Sequence, residues 1–140
     1  MIPLRLVLDT NIVISAALKP EGLQRTVFLL AITKPARLYV SDTILAEYRE
    51  VLARPELGIR EGLRQQFLQL IAGHSHRAKP VRPIQITRDP DDNIFVECAD
   101  AARADYLVTG NPRHFPKFWK MTKIITSREF ISVVAPHLLR

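Results

Sequence analysis

The 140-residue chain contains one cysteine, Cys98. That excludes an intramolecular disulfide framework and is compatible with a reducing cytoplasm. No uninterrupted apolar stretch approaches the roughly 20 residues of a membrane span, so no membrane partner is expected. The N-terminal apolar run is cut by Arg5 and Asp9 with no cleavage-type sequence after it, so it does not read as a secretory signal. Internal repeats, low-complexity linkers and charge blocks are absent too. The length fits one domain, residues 1–140, large enough to bury a core without staples.

What is present is a basic balance. Lys and Arg number 20 against 14 Asp and Glu, a formal charge of +6, and the sequence pI is near 9.9. This raises the prior for an anionic partner such as nucleic acid. The cations are scattered along the chain, so most of them read as solvated helix faces. Hydrophobic content of 47% is that of a folded protein.

The chain is organised around Leu4–Ala16, LRLVLDTNIVISA. Leu4 to Leu8 reads as a strand buried on both faces. Asp9 follows at its carboxyl end, where ligands bind in open parallel sheets. Asp9 read in isolation is a helix cap. A short helix then ends before Pro20, and a second runs from Gly22 to about Thr33. Leu38–Val40 is a strand, and Ser41 caps a helix from Asp42 to about Ala53. On that helix Glu47 falls at the edge of the stripe made by Ile44, Tyr48 and Val51, so it can lean towards a cleft. Arg60–Ala72 reads as a helix ended by Gly73, and His74–Pro83 as a loop. His74 and His76 in that loop are a lesser candidate for a metal pair. Val81, Ile84 and Ile86 suggest a strand or an extended edge.

In Asp89-Pro90-Asp91-Asp92-Asn93, three carboxylates fall within four residues. Two carboxylates about 5 Å apart repel by roughly 3 kcal/mol at an effective dielectric near 20. A helix N-terminus relieves part of this, and a hard cation with oxygen ligands relieves more. The helix beginning at Ile94 is clear from its apolar face. Tyr106–Thr109 is a second buried strand, and Asn111 lies just past it, the position that Asp9 takes after the first. Phe115, Phe118 and Trp119 read as packing residues. Lys123–Thr126 is the last strand, with Thr126 and Glu129 forming a capping box for the final helix. Strands alternating with helices give a three-layer α/β/α domain with a mostly parallel sheet.

Taken in register, LDTNIVISA, SDTILAEYREVLARP, DPDDNIFVECA and ADYLVTGN resemble the PIN-domain family, closest to its bacterial and archaeal toxin components of toxin–antitoxin systems. The resemblance runs from Leu4 to about Val134. It implies a magnesium- or manganese-dependent endoribonuclease hydrolysing RNA phosphodiesters in the cytoplasm. It implies metal-binding and catalytic acids at Asp9, Glu47 and Asp92, with Asn11 as a polar neighbour. The family's fourth position, in a Thr-x-Asp pattern, falls on Thr109-Gly110-Asn111, so this chain carries an amide there. Asn111 is then a weaker ligand or a group orienting water, and Asp89 and Asp91 are substitutes near the third acid. The implied partners are RNA, a cognate antitoxin protein docking around Leu23–Thr33 and Ile44–Leu52, and a second copy in a homodimer. The alternative is a catalytically weakened PIN-like module that binds RNA or antitoxin. Haloacid-dehalogenase chemistry requires an Asp where Asn11 stands. A response-regulator receiver requires a Lys ending the last strand, which Lys123 instead begins.

Overall fold

The computed structural model describes residues 3–139. The first strand, β1 (Arg5–Leu8), has Leu6, Val7 and Leu8 fully buried. Successive side chains of a strand point to opposite faces, so burial of all three means that both faces are covered. Two helices follow, α1 (Thr10–Leu18) and α2 (Leu23–Ala31), then β2 (Arg37–Val40) and α3 (Asp42–Leu52). Next come α4 (Glu61–His74), β3 (Ser75–Arg77), α5 (Asn93–Ala102) and β4 (Tyr106–Val108). The chain closes with β5 (Phe118–Trp119), β6 (Thr122–Ile125) and α6 (Ser127–Val134).

The strands form one sheet in the order β3-β2-β1-β4-β6-β5. All pairings are parallel except β5 on β6. β1 is central, with Leu6 opposite Tyr106 and Leu8 opposite Val108. Adjacent parallel strands present their carboxyl ends side by side, so Asp9 and the residues after Val108 emerge together. Helix α5 packs against β1, β2 and β4, while α2 packs on both α1 and α6. Tyr48 of α3 is fully buried and donates its hydroxyl to Leu8 O at 2.5 Å. This pins α3 to the end of β1. Among the described residues, no helix is long and apolar enough to cross a membrane.

Three sequence expectations are corrected. Gly73 does not end its helix, which continues to His74, and Ser75–Arg77 is a strand rather than loop. Its composition is poor for a strand; the open edge of β2 imposes it, pairing Leu38 with Ser75 and Val40 with Arg77. His76 stacks on Tyr39, and Arg77 pairs with Asp42. Conversely, Val81, Ile84 and Ile86 form no strand. The amides there are taken by side chains of α5: Ile84 N donates to Glu97 Oε2, and Ile86 N and Thr87 N donate to Asn93 Oδ1. Phe118 is no packing residue. It lies on the edge strand β5 and is 65% exposed, while Phe115 is buried and Trp119 half-buried.

The capping box is present as read. Thr126 Oγ1 accepts from Glu129 N at 3.2 Å, and Glu129 Oε1 accepts from Thr126 N at 3.1 Å. Thr126→Ala leaves the Glu129 amide without its side-chain acceptor and is expected to lower stability by about 1 kcal/mol, read from the urea midpoint at unchanged slope.

Candidate active site

Asp9 leaves β1 in an extended conformation, with its amide donating to Val108 O at 2.9 Å. Its Oδ1 accepts from Thr10 N at 2.7 Å, so Asp9 does cap α1. Its other oxygen is held separately. Oδ2 accepts from Thr109 Oγ1 at 2.7 Å and from Asn11 Nδ2 at 3.2 Å. Thr109 is fully buried, and its own amide donates to Ile125 O, so its hydroxyl is fixed by β4 and β6. Asn11 returns the link: its Oδ1 accepts from Gly110 N at 3.0 Å. A Cβ at Gly110 would sit 3.3 Å from that oxygen, which is why the smallest residue stands there.

Glu47 reaches the same place from α3. It is half-buried, and its Oε2 accepts a short hydrogen bond from the Thr10 hydroxyl. Asp92 ends the 3-10 turn Pro90–Asp92 that leads into α5. Its Oδ2 lies 3.3 Å from His114 Nδ1 but makes no well-aligned hydrogen bond. Asp9, Asn11, Glu47, Asp89, Asp92 and Asn111 line one cleft of about 410 Å³, with Arg54 and His114 on its wall.

Two predicted candidates have other places. Asp91 is exposed and does not line the cleft; its amide donates to Asp89 Oδ1 at 3.0 Å. Thr109 lies beneath Asp9 as its hydrogen-bond donor. His74 and His76 stand apart from the cleft: His74 Nδ1 is 3.0 Å from Leu70 O, and His76 stacks on Tyr39. Thr10 and His114 escaped sequence reading. Thr10 adjoins Asp9, but nothing in its type says that it bonds Glu47. His114 lies 22 positions from Asp92, with no pattern joining them.

The charges strain one another. Burial pushes the Asp9 carboxyl up to about 6, and the negative charges of Asp92 and Glu47 add to this against the bonds from Thr109 and Thr10. Glu47 is raised by burial, opposed by the Thr10 bond, with Asp91 and Asp92 adding. Burial and Asp89 raise Asp92, while His114 opposes. An oxygen-only set of this kind suits a hard cation, which would relieve the repulsion. As the side chains stand, no three His, Cys, Asp or Glu groups among the described residues are gathered closely enough for one ion. Sharing an ion among three of the acids therefore requires side-chain rotation.

Asp9 gives a pH signature in metal-free protein. Its native value near 6 lies above the unfolded value of about 3.9, so the native state holds the proton more tightly. The stability linked to that proton is fully present below about pH 3.9 and is lost as pH rises through 6. In chelator, Asp9→Asn is expected to exceed the parent by about 3 kcal/mol at pH 8, with the gap closing towards pH 4. Urea unfolding at both pH values measures it; the same difference at both would mean that the Asp9 charge is not strained.

Residues 5–113 match the family described as PIN domain. An uncharacterized protein of Methanocaldococcus jannaschii is 28% identical over 142 aligned positions, covering 93% of this chain and 91% of that one. Among solved structures, VapBC2 from Rickettsia felis, bound to a DNA fragment from their promoter, superposes with a TM-score of 0.59 at 17% identity. That match covers 88% of this chain and 98% of the other, and the likeness is one of fold. With the family match spanning most of its length, and the sheet and helices arranged as that fold requires, this chain belongs to the PIN-domain family.

Proposed function

We propose that this chain is a single-domain, metal-dependent endoribonuclease acting on RNA phosphodiesters in the cytoplasm, and the toxin of a toxin–antitoxin pair. The observation that carries the reading is Asp9. It is held by Thr109 and Asn11, with its carboxyl raised by burial and, to a lesser degree, by Asp92 and Glu47 across one cleft. A purely structural cap needs neither the second set of bonds nor two further acids beside it.

Asp9, Glu47 and Asp92 are the proposed holders of magnesium or manganese, with the Asn111 amide as a neutral fourth group. A divalent ion held there would supply an activated water and would neutralise charge on the phosphorane-like transition state. The protein's own part is positional. In the metal-free arrangement Thr109 and Asn11 hold Asp9, and Thr10 holds Glu47. Arg54 on the cleft wall brings positive charge, and His114 beside Asp92 a hydrogen-bonding ring, to where a phosphate enters.

An active ribonuclease in the cytoplasm needs an inhibitor, and the fold likeness to VapBC2 supports an antitoxin partner. On α3, Ile44, Tyr48 and Leu52 are buried while Leu45 and Val51 are half-buried, so the proposed docking face runs from α1 and α2, where Leu18 and Leu29 are exposed, to the edge of α3. A homodimer is proposed from family and symmetry.

Purified protein is expected to cleave RNA with magnesium or manganese and to stop in chelator. Asp9→Asn should abolish turnover without loss of thermal stability. Equal cleavage in chelator, or full activity in Asp9→Asn, contradicts the reading. A weakened, binding-only module is the second reading, favoured by Asn111, which brings no charge. Asn111→Asp is expected to tighten magnesium about tenfold by calorimetric titration, the net of a Coulomb gain of roughly 4 kcal/mol per unit charge product at about 4 Å less repulsion and desolvation. Unchanged or weaker binding places Asn111 outside the metal shell.

A further inference from the structure

The segment between β4 and β6 faces two ways. Asn111 and His114 line the acidic cleft. Pro112, between them, lines a second groove of about 770 Å³ along the free edge of the sheet, with Lys117, Phe118, Met121 and Lys123. Phe118 is 65% exposed and Met121 57%, although both are apolar. Among the described residues, Lys117 and Lys123 are exposed and enter no ion pair. Lys120, also on the groove, pairs with Asp100 at 2.9 Å. The one acid lining the groove is Glu129, whose carboxylate is engaged in the capping box.

Unpaired lysines beside an exposed aromatic ring, at the rim of a cleft built for phosphodiester chemistry, have a specific complement. We infer that this groove is a track for single-stranded RNA, carrying the strand that leaves the cleft over Pro112. Lys117 and Lys123 neutralise backbone phosphates, and Phe118 offers its face to a base. Stacking on Phe118 selects a single strand over a duplex, whose bases turn their faces to one another. The inference rests on the nuclease reading for its ligand, and on the continuity of the Asn111–His114 turn for its place.

The test is fluorescence anisotropy of a labelled single-stranded RNA of about 12 nucleotides, in chelator so that nothing is cleaved. It compares the parent with Phe118→Ala and with the double variant Lys117→Ala, Lys123→Ala. All three side chains are exposed, and unchanged melting temperatures verify the fold. Phe118→Ala is expected to weaken binding about tenfold. The double variant should lower the salt slope by about 1.4, at 0.7 per phosphate contact on a single strand. With magnesium, both should raise KM for the long RNA and leave cleavage of a substrate of about four nucleotides unaltered. Equal affinity in all three proteins, or no binding by the parent, overturns the track. So does polyglutamate binding the same residues more tightly than RNA, which would assign the groove to an acidic polypeptide. Cleavage by the parent with unaltered binding in the variants leaves the nuclease standing without the track; binding through the groove without cleavage by any protein leaves the track without the nuclease.

Discussion

The hydrogen bond from Thr109 to Asp9 joins two strand ends that are 100 residues apart in the chain. Everything at the cleft depends on it. It requires β1 and β4 to be neighbours in register, and it requires Thr109 to be held from behind by β6. It also fixes the oxygen of Asp9 that is not engaged in capping α1. A carboxylate buried to this degree is expensive to keep charged. The protein accepts that expense at the one place where three elements converge, and surrounds it with donors too few to cancel it.

The second acid is placed by a different device. Tyr48 anchors α3 to the backbone of β1, and Glu47, next to it in sequence, is thereby presented at the cleft. One residue is buried among apolar side chains and its neighbour is half-buried, which is the ordinary consequence of a helical step of about 100°. Packing and chemistry thus share one turn of helix. Cys98, by contrast, is buried with its thiol pushed up to about 12, which leaves it an inert core residue.

Much of this could be read beforehand, for identifiable reasons. β1 and β4 are legible because apolar runs bounded by polar residues mean strands buried on both faces. Asp9, Asn111 and Glu47 are legible because strand ends and helical wheels are local properties. β3 and β5 are not, because SHR is poor in strand-forming residues and FW is too short a run to read, and both become strands through the edge they meet. The alternation Val81–Ile86 misleads for the opposite reason: it has the strand period, but Asn93 and Glu97 take its amides. Thr10 and His114 could not be recognised, since their role lies in a partner that folding alone supplies. Thr109 was visible only through a family pattern, and the structure gives it the task of orienting an acid.

Helix α5 begins immediately after Asp92 in the cleft. Near its other end Asp100 gathers Trp119 Nε1 at 3.0 Å, Lys120 Nζ at 2.9 Å and Arg82 Nε at 3.9 Å. Ten helical residues rise about 15 Å and behave as a stiff rod, so its two ends cannot shift independently. The knot of charges around Asp100 is remote from any reacting atom, yet it braces one end of the rod whose other end carries Asp92. Drift in that knot is consequently restrained by geometry at the far end, and a survey of tolerated substitutions would find it more rigidly kept than its position near the surface suggests.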